Sequence, residues 1–161
     1  VCGDDVELCA VCVAKGMEFL SAPYETIQKV TEDLVRSDGE RYCFSKSQEE
    51  VDTLLWEAQL KYVFPLVENY RRYFVKKYYA FIKAALPINN GYGDQVMVPE
   101  EAELGNLMYL VERGGIPVSA EESMELKRYR KARNELAHMN LLSNEELCVI
   151  LKAGKHKTAS D

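Results

Sequence analysis

The chain has 161 residues, 47% of them hydrophobic and 29% charged, with a formal net charge of -6. That length holds one domain with a real core and is short for two. The acidic balance excludes attraction to nucleic acid or anionic membrane through bulk charge, so such a partner requires a local basic patch.

No apolar run approaches the roughly 20 residues needed to span a bilayer. Glu7, Lys15 and Glu18 interrupt the first apolar stretch, which excludes a secretory signal core. A cytoplasmic protein without a membrane partner is expected. The chain opens at Val1 rather than Met, as expected of a piece of a longer protein. Five cysteines, an odd and scattered set, do not look like a disulfide framework. Cys9-Ala10-Val11-Cys12 has metal-knuckle spacing, yet no second Cys/His pair follows at zinc-finger distance. It lies inside an apolar helical pattern, where Cys acts as a small hydrophobe. No metal and no cofactor are expected.

Val6, Cys9, Val13, Met17 and Leu20 recur at three- and four-residue spacing and predict an amphipathic helix over 5–20. Pro23 suits the first turn of a second helix burying Ile27, Val30 and Leu34. Asp38-Gly39 marks a turn, and residues 40–46 are too short to classify.

Ser47 with Glu50 is a capping box that opens the longest element, 48–86. Its apolar positions run through Val51, Leu54, Leu55, Ala58, Tyr62, Val63, Leu66, Val67, Tyr70, Phe74, Tyr78, Phe81 and Ala85. Pro65 lacks a donor and clashes with the preceding turn, predicting a kink near 61–65 or a split into two helices. Residues 87–99, with Asn89-Asn90-Gly91-Tyr92-Gly93-Asp94, read as a loop. A helix over 100–113 buries Leu104, Leu107, Met108 and Val111 and stops at Gly114-Gly115. Ser119 with Glu122 caps a helix over 120–140, and Ser143 with Glu146 caps a short final one. The small, polar tail 154–161 is expected to be disordered. The fold class is thus all-α, a bundle of about five to six helices in one domain over 1–153, with one long, Pro-interrupted helix.

On a wheel of about 100° per residue, Leu126, Tyr129, Ala132 and Leu136 share the core sector of the 120–140 helix. Asn134 and His138, four apart, share a face with Arg130 that points away from the core. Arg133 borders the core sector, about 140° around from His138.

The stretch Arg133-Asn134-Glu135-Leu136-Ala137-His138, followed by Leu141-Leu142-Ser143-x-x-Glu146, resembles the Arg-Asn-x-x-x-His signature of the HEPN superfamily. The resemblance extends loosely over 47–152. It implies an all-helical domain that dimerises with its motif helices facing each other, gathering arginines and histidines from both copies. The implied activity is metal-independent RNA cleavage by a toxin or defence effector, paired with a regulatory or antitoxin protein. In that scheme His138 moves protons at the ribose 2′-oxygen or the leaving 5′-oxygen. Arg133 braces the scissile phosphate, and Asn134 orients either partner. A non-catalytic helical module that dimerises or binds a partner or nucleotide is the alternative. An ordinary surface histidine is the plain reading of His138 alone.

Between 61 and 83 the chain carries Lys61, Arg71, Arg72, Lys76, Lys77 and Lys83 against the single acid Glu68. Lys61, Arg72, Lys76, Tyr79 and Lys83 fall in one sector opposite the apolar stripe. A basic row with a tyrosine can track a phosphate backbone and stack a base. Such a row, with Arg130, is a candidate RNA-binding surface; a solvated helix face is the competing reading. Arg71, Lys77, Tyr73 and Tyr78 flank the row, and their stems and rings are expected to cover the core edge.

Overall fold

The computed structural model describes residues 2–3, 5–89 and 95–157, with side chains through 153. Among these residues the chain is mainly helical, with eight α-helices and one short strand pair. It divides into two compact units, Val1–Ala58 and Gln59–Asp161.

The first unit holds helices α1 (Val6–Lys15), α2 (Met17–Ser21) and α3 (Pro23–Asp33). Asp5 caps α1 by accepting from the Leu8 amide at 2.9 Å. The helix expected over 5–20 is broken at Gly16, whose φ of 53° belongs to the left-handed region that glycine enters without steric cost. The break shifts the helical phase and with it the buried face. Leu8 and Cys12, not Val6, Val13 and Met17, pack with Ile27 and Val30. Val6 and Val13 are 78% and 79% exposed. The 5–20 sequence carries two overlapping apolar stripes, and the one that meets α3 is buried. Pro23 opens α3 as expected, and Leu34 closes it against the core. The Asp38-Gly39 turn brings Val35 opposite Arg41 in a single antiparallel bridge. Tyr42 donates its hydroxyl to Asp5 at 2.6 Å, tying that turn back to the start of α1.

Ser47 and Glu50 form their capping box, with bonds of 2.7 and 3.2 Å, and open α4 (Gln48–Lys77). Of the kink or split expected near Pro65, the split does not occur, since α4 runs through it. Pro65 and Lys61 are both exposed. Water can therefore serve the Lys61 carbonyl that loses its helical donor. The break falls at Tyr78 instead, and α5 (Tyr79–Ala84) ends before Ala85.

In the second unit, Val63, Val67, Tyr70, Phe74, Tyr78 and Ile82 form the buried face of α4 and α5. Tyr62 and Phe81, expected on that face, are exposed. The 87–99 stretch contains a two-residue antiparallel pair, Ile88–Asn89 with Gln95–Val96. Asn90 to Asp94, read as loop, lie outside the described residues. The helix expected at 100–113 is a 3-10 turn (Pro99–Glu101) followed by α6 (Leu104–Glu112). Glu103 and Asn106 cap α6 reciprocally. Gly114 stops it at a φ of 73°.

Helix α7 (Ala120–Ala137) starts at the Ser119–Glu122 capping box and buries Leu126, Tyr129, Ala132 and Leu136, the four residues the wheel selects. Its center is Tyr129, 2% exposed, stacked on Tyr70 with ring centroids 4.0 Å apart and planes 7° from parallel. Ser143 and Glu146 cap α8 (Asn144–Lys157). That helix is longer than expected and takes in residues 154–157 of the tail. The remainder of the tail, 158–161, lies outside the described residues.

Candidate functional site

The motif lies where α7 ends. The helix stops at Ala137 rather than continuing to 140, so His138 is its C-cap, with φ -97° and ψ 15°. The His138 amide still closes the helix, donating to the carbonyls of Asn134 and Glu135 at 3.1 Å. Met139 then turns through a positive φ of 61°. Asn140 fastens this exit twice to Glu135: its amide donates to the Glu135 carbonyl and its side chain to the carboxylate, both at 2.9 Å.

Arg133 and His138 are exposed, Asn134 is half-buried, and Arg130 is exposed. Arg133 makes no ion pair among the described residues. Alternation with the buried Ala132 and Leu136 thus presents the Arg-Asn-x-x-x-His side chains outward from a helix locked on its other face.

The loop after the motif is held by a residue the sequence reading missed. Gln59 on α4 donates its side-chain amide to the Leu142 carbonyl at 3.3 Å and accepts from the Leu142 amide at 2.8 Å. Leu142 is buried, and its backbone pairs with this one side chain as it would with a strand. The partners are 83 residues apart, and no local pattern announces such a pairing.

Beside this loop, α7 and α8 enclose a cavity of about 210 Å³. Ala132, Leu142, Val149 and Ile150 supply apolar walls, while Arg128, Lys131, Glu145 and Glu146 supply charge. Lys131 and Glu146 pair with each other across it. Burial raises the Glu146 pKa and its Lys131 partner lowers it, with the net shift downward and the Lys131 bond the largest cause. Arg133, Asn134 and His138 do not line this cavity.

Lys61, Arg72, Lys76, Tyr79 and Lys83 are all exposed. The cationic island is smaller than its count of charges suggests. Glu68 binds Arg71 and Arg72 together, each with bonds of 2.8 Å, and Arg71 donates to the Glu100 and Ala102 carbonyls as well. Arg71 chiefly, then Arg72, hold the Glu68 carboxyl at about 2. Lys77 pairs with Glu122, which also accepts from the Tyr78 hydroxyl at 2.9 Å. Arg71 and Lys77 thus fasten the frame through their charges; of the flanking residues expected to cover the core edge, Tyr78 is buried while Lys77 and Tyr73 are exposed. Among the described residues Lys61, Lys76 and Lys83 carry no ion pair, and the exposed rings of Tyr62, Tyr73, Tyr79 and Phe81 stand on the same two helices. Lys61 lies 5.7 Å from the Tyr62 ring centroid.

No cluster of three His, Cys, Asp or Glu side chains arranged to hold a metal occurs among the described residues. No described helix is long and apolar enough to cross a membrane. No protein-family model, no curated protein and no solved structure matches this chain.

Proposed function

We propose that this chain is a HEPN-like, metal-independent endoribonuclease or RNA-binding effector that works as a homodimer through the end of α7. The observation that carries the reading is the presentation of Arg133 and His138. Both are exposed at the end of a helix whose opposite face is fully buried, and the loop beyond is fastened by Asn140 and Gln59. Side chains left uncovered at the end of an anchored helix suit a site completed by a second copy of the same surface.

Within such a shared cleft the proposed chemistry uses no metal and is carried by the chain's own side chains. His138 removes the ribose 2′-hydroxyl proton or protonates the leaving 5′-oxygen. Arg133 offers its planar fork to the phosphate as charge builds there. Asn134 orients one of them. The products are a 2′,3′-cyclic phosphate and a 5′-hydroxyl. Lys61, Lys76 and Lys83 with the exposed tyrosines supply phosphate contact and stacking.

The test is cleavage of single-stranded RNA in the presence of a chelator. Wild-type protein is expected to cut, and His138→Ala and Arg133→Ala are expected to lose cutting while keeping the helical circular dichroism spectrum. Undiminished cutting by His138→Ala, or loss of wild-type cutting on chelation, contradicts the mechanism.

A second reading rests on the α7–α8 cavity. An apolar hollow with charged groups at its walls suits a small ligand or one partner side chain, its volume of about 210 Å³ being below the roughly 300–1,000 Å³ of drug-sized ligand pockets. A helical module that binds there has no need of His138. Retained binding with no RNA cleavage by any variant favours it.

A further inference from the structure

We infer that the row Lys127, Arg130 and Arg133 on α7 is a phosphate-binding surface that holds a nucleic-acid strand along the helix leading to His138. Five of the seven residues from Lys127 to Arg133 are cations and none is an acid, in a chain whose net charge is -6. All of these cations are exposed. Lys131 pairs with Glu146. Lys127, Arg128, Arg130 and Arg133 form no ion pair among the described residues.

Spacing decides which of these cations act together. Residues three apart follow one ridge of a helix surface, and at about 1.5 Å per residue the row from Lys127 to Arg133 is about 9 Å long. None of its three members has an acid three or four positions away on α7. At those spacings they meet each other, and Lys127 also meets Lys131. Like charges so placed work against the helix. Other exposed cations of the chain sit beside an acid at that spacing, as Lys15 does with Glu18 and Arg72 with Glu68. A row that keeps its repulsion uncompensated suits an anion of repeating charge.

The row leads to the motif. At about 100° per residue, Lys127 lies within about 20° of both Asn134 and His138, with Arg130 about 40° to the side of Asn134. Leu126, Tyr129, Ala132 and Leu136 are buried on the core side of the same helix. Two of the three members are arginines, whose planar fork matches the oxygens of a phosphate. An acidic protein segment carries the same sign of charge. A phosphodiester strand is favoured because the row runs toward the groups that the proposed function sets at a phosphodiester, and the inference rests on that reading for this choice. Lys127 lies outside both the motif and the lysine row of α4 and α5, and adds to them.

The probe is a labelled single-stranded DNA oligonucleotide, which has the phosphates but no 2′-hydroxyl, so binding is read apart from cleavage. Lys127→Gln/Arg130→Gln is expected to show a logarithmic salt slope smaller by about 0.7 per lost contact. That slope corresponds to roughly an eightfold loss of affinity per contact at about 0.05 M salt relative to about 1 M. Lys127→Arg/Arg130→Lys keeps the charges and is expected to keep the slope. Lys29→Gln/Lys46→Gln removes as much charge from exposed positions of the first unit and is expected to bind as wild type does. Each variant is first shown to keep the helical circular dichroism spectrum. Poly-glutamate at equal charge is expected to compete poorly with the oligonucleotide. Wild-type affinity in Lys127→Gln/Arg130→Gln overturns the inference, as does an equal loss in Lys29→Gln/Lys46→Gln. Stronger competition by poly-glutamate than by unlabelled DNA, or no wild-type binding at the lowest salt, overturns it too. Wild type that binds through the row but cuts no RNA upholds this inference and removes the nuclease reading. Wild type that cuts RNA while the double substitution leaves binding unchanged does the reverse.

Discussion

Tyr129, midway along the motif helix, and Gln59, which fastens the loop after it, do different work. Tyr129 fills the interior by lying flat against Tyr70. Tyr129→Ala leaves a cavity and removes the stack, and is expected to cost about 3–5 kcal/mol in denaturant unfolding, the range for large aromatic truncations. A loss under about 1 kcal/mol shows that the stack is not the center of the second unit. Gln59→Ala leaves the buried backbone of Leu142 without its partner and is expected to cost about 1–3 kcal/mol. Hydrogen exchange at the Leu142 amide should quicken by more than global unfolding explains. Unchanged protection there removes Gln59 from the account. Tyr129 is legible in the sequence because a helical wheel counts neighbours on one helix. Gln59 is not, since a polar side chain that replaces a strand partner follows no period. His138 stands between the two cases: its number in the chain fixes its face, while its role as a helix C-cap depends on where Asn140 and Met139 let the backbone turn.

At the level of elements, caps were the most legible feature and buried faces the least. Each of the three Ser-x-x-Glu boxes forms, because capping depends on atoms three residues apart. In α1 the choice between two apolar stripes depends on α3, and a Gly16 break resets the phase, so periodicity alone selected the wrong one. In α4 the helix continues through Pro65, because an exposed proline can leave the unpaired carbonyl to water, and the split falls at Tyr78. The ion pairs along α4 and α7 predict an acid response. Glu68 is held at about 2 by Arg71 and then Arg72, and Glu122 at about 2 by Lys77 and the Ser119 amide. A carboxylate depressed below its ordinary 4.5 contributes stability above that value and loses it as pH falls toward about 2. Solvent screens both groups, so the effect is modest. The melting temperature should therefore fall between pH 4.5 and about 2, and less steeply in Glu68→Gln/Glu122→Gln. Equal slopes contradict these pairings. For the cationic row, Arg72 is a poor probe, since reversing it sets two acids side by side at Glu68. Lys61→Glu/Lys76→Glu/Lys83→Glu is the informative variant. It should stay folded, losing about 0.5 kcal/mol or less per site, and its RNA binding should show a logarithmic salt slope lower by about 0.7 per lost contact.

For the molecule as a whole, the all-α class was legible because periodicity, caps and turn residues agree along nearly the entire chain. The proposed activity belongs to this scale too, since it needs a second copy. A sedimentation experiment at micromolar concentration should give a dimer, and a charge-reversing Arg130→Glu at the motif face should shift it toward monomer; a strict monomer in wild type removes the shared cleft. The proposed activity requires that this acidic chain engage RNA through its own lysine row. The deciding measurement is the affinity of wild-type protein for single-stranded RNA across a salt series, with the triple lysine variant alongside and melting temperature as the control. Binding at low salt is expected to weaken steeply as salt rises, with a shallower dependence in the variant. Wild-type protein that shows no RNA affinity at the lowest salt contradicts it.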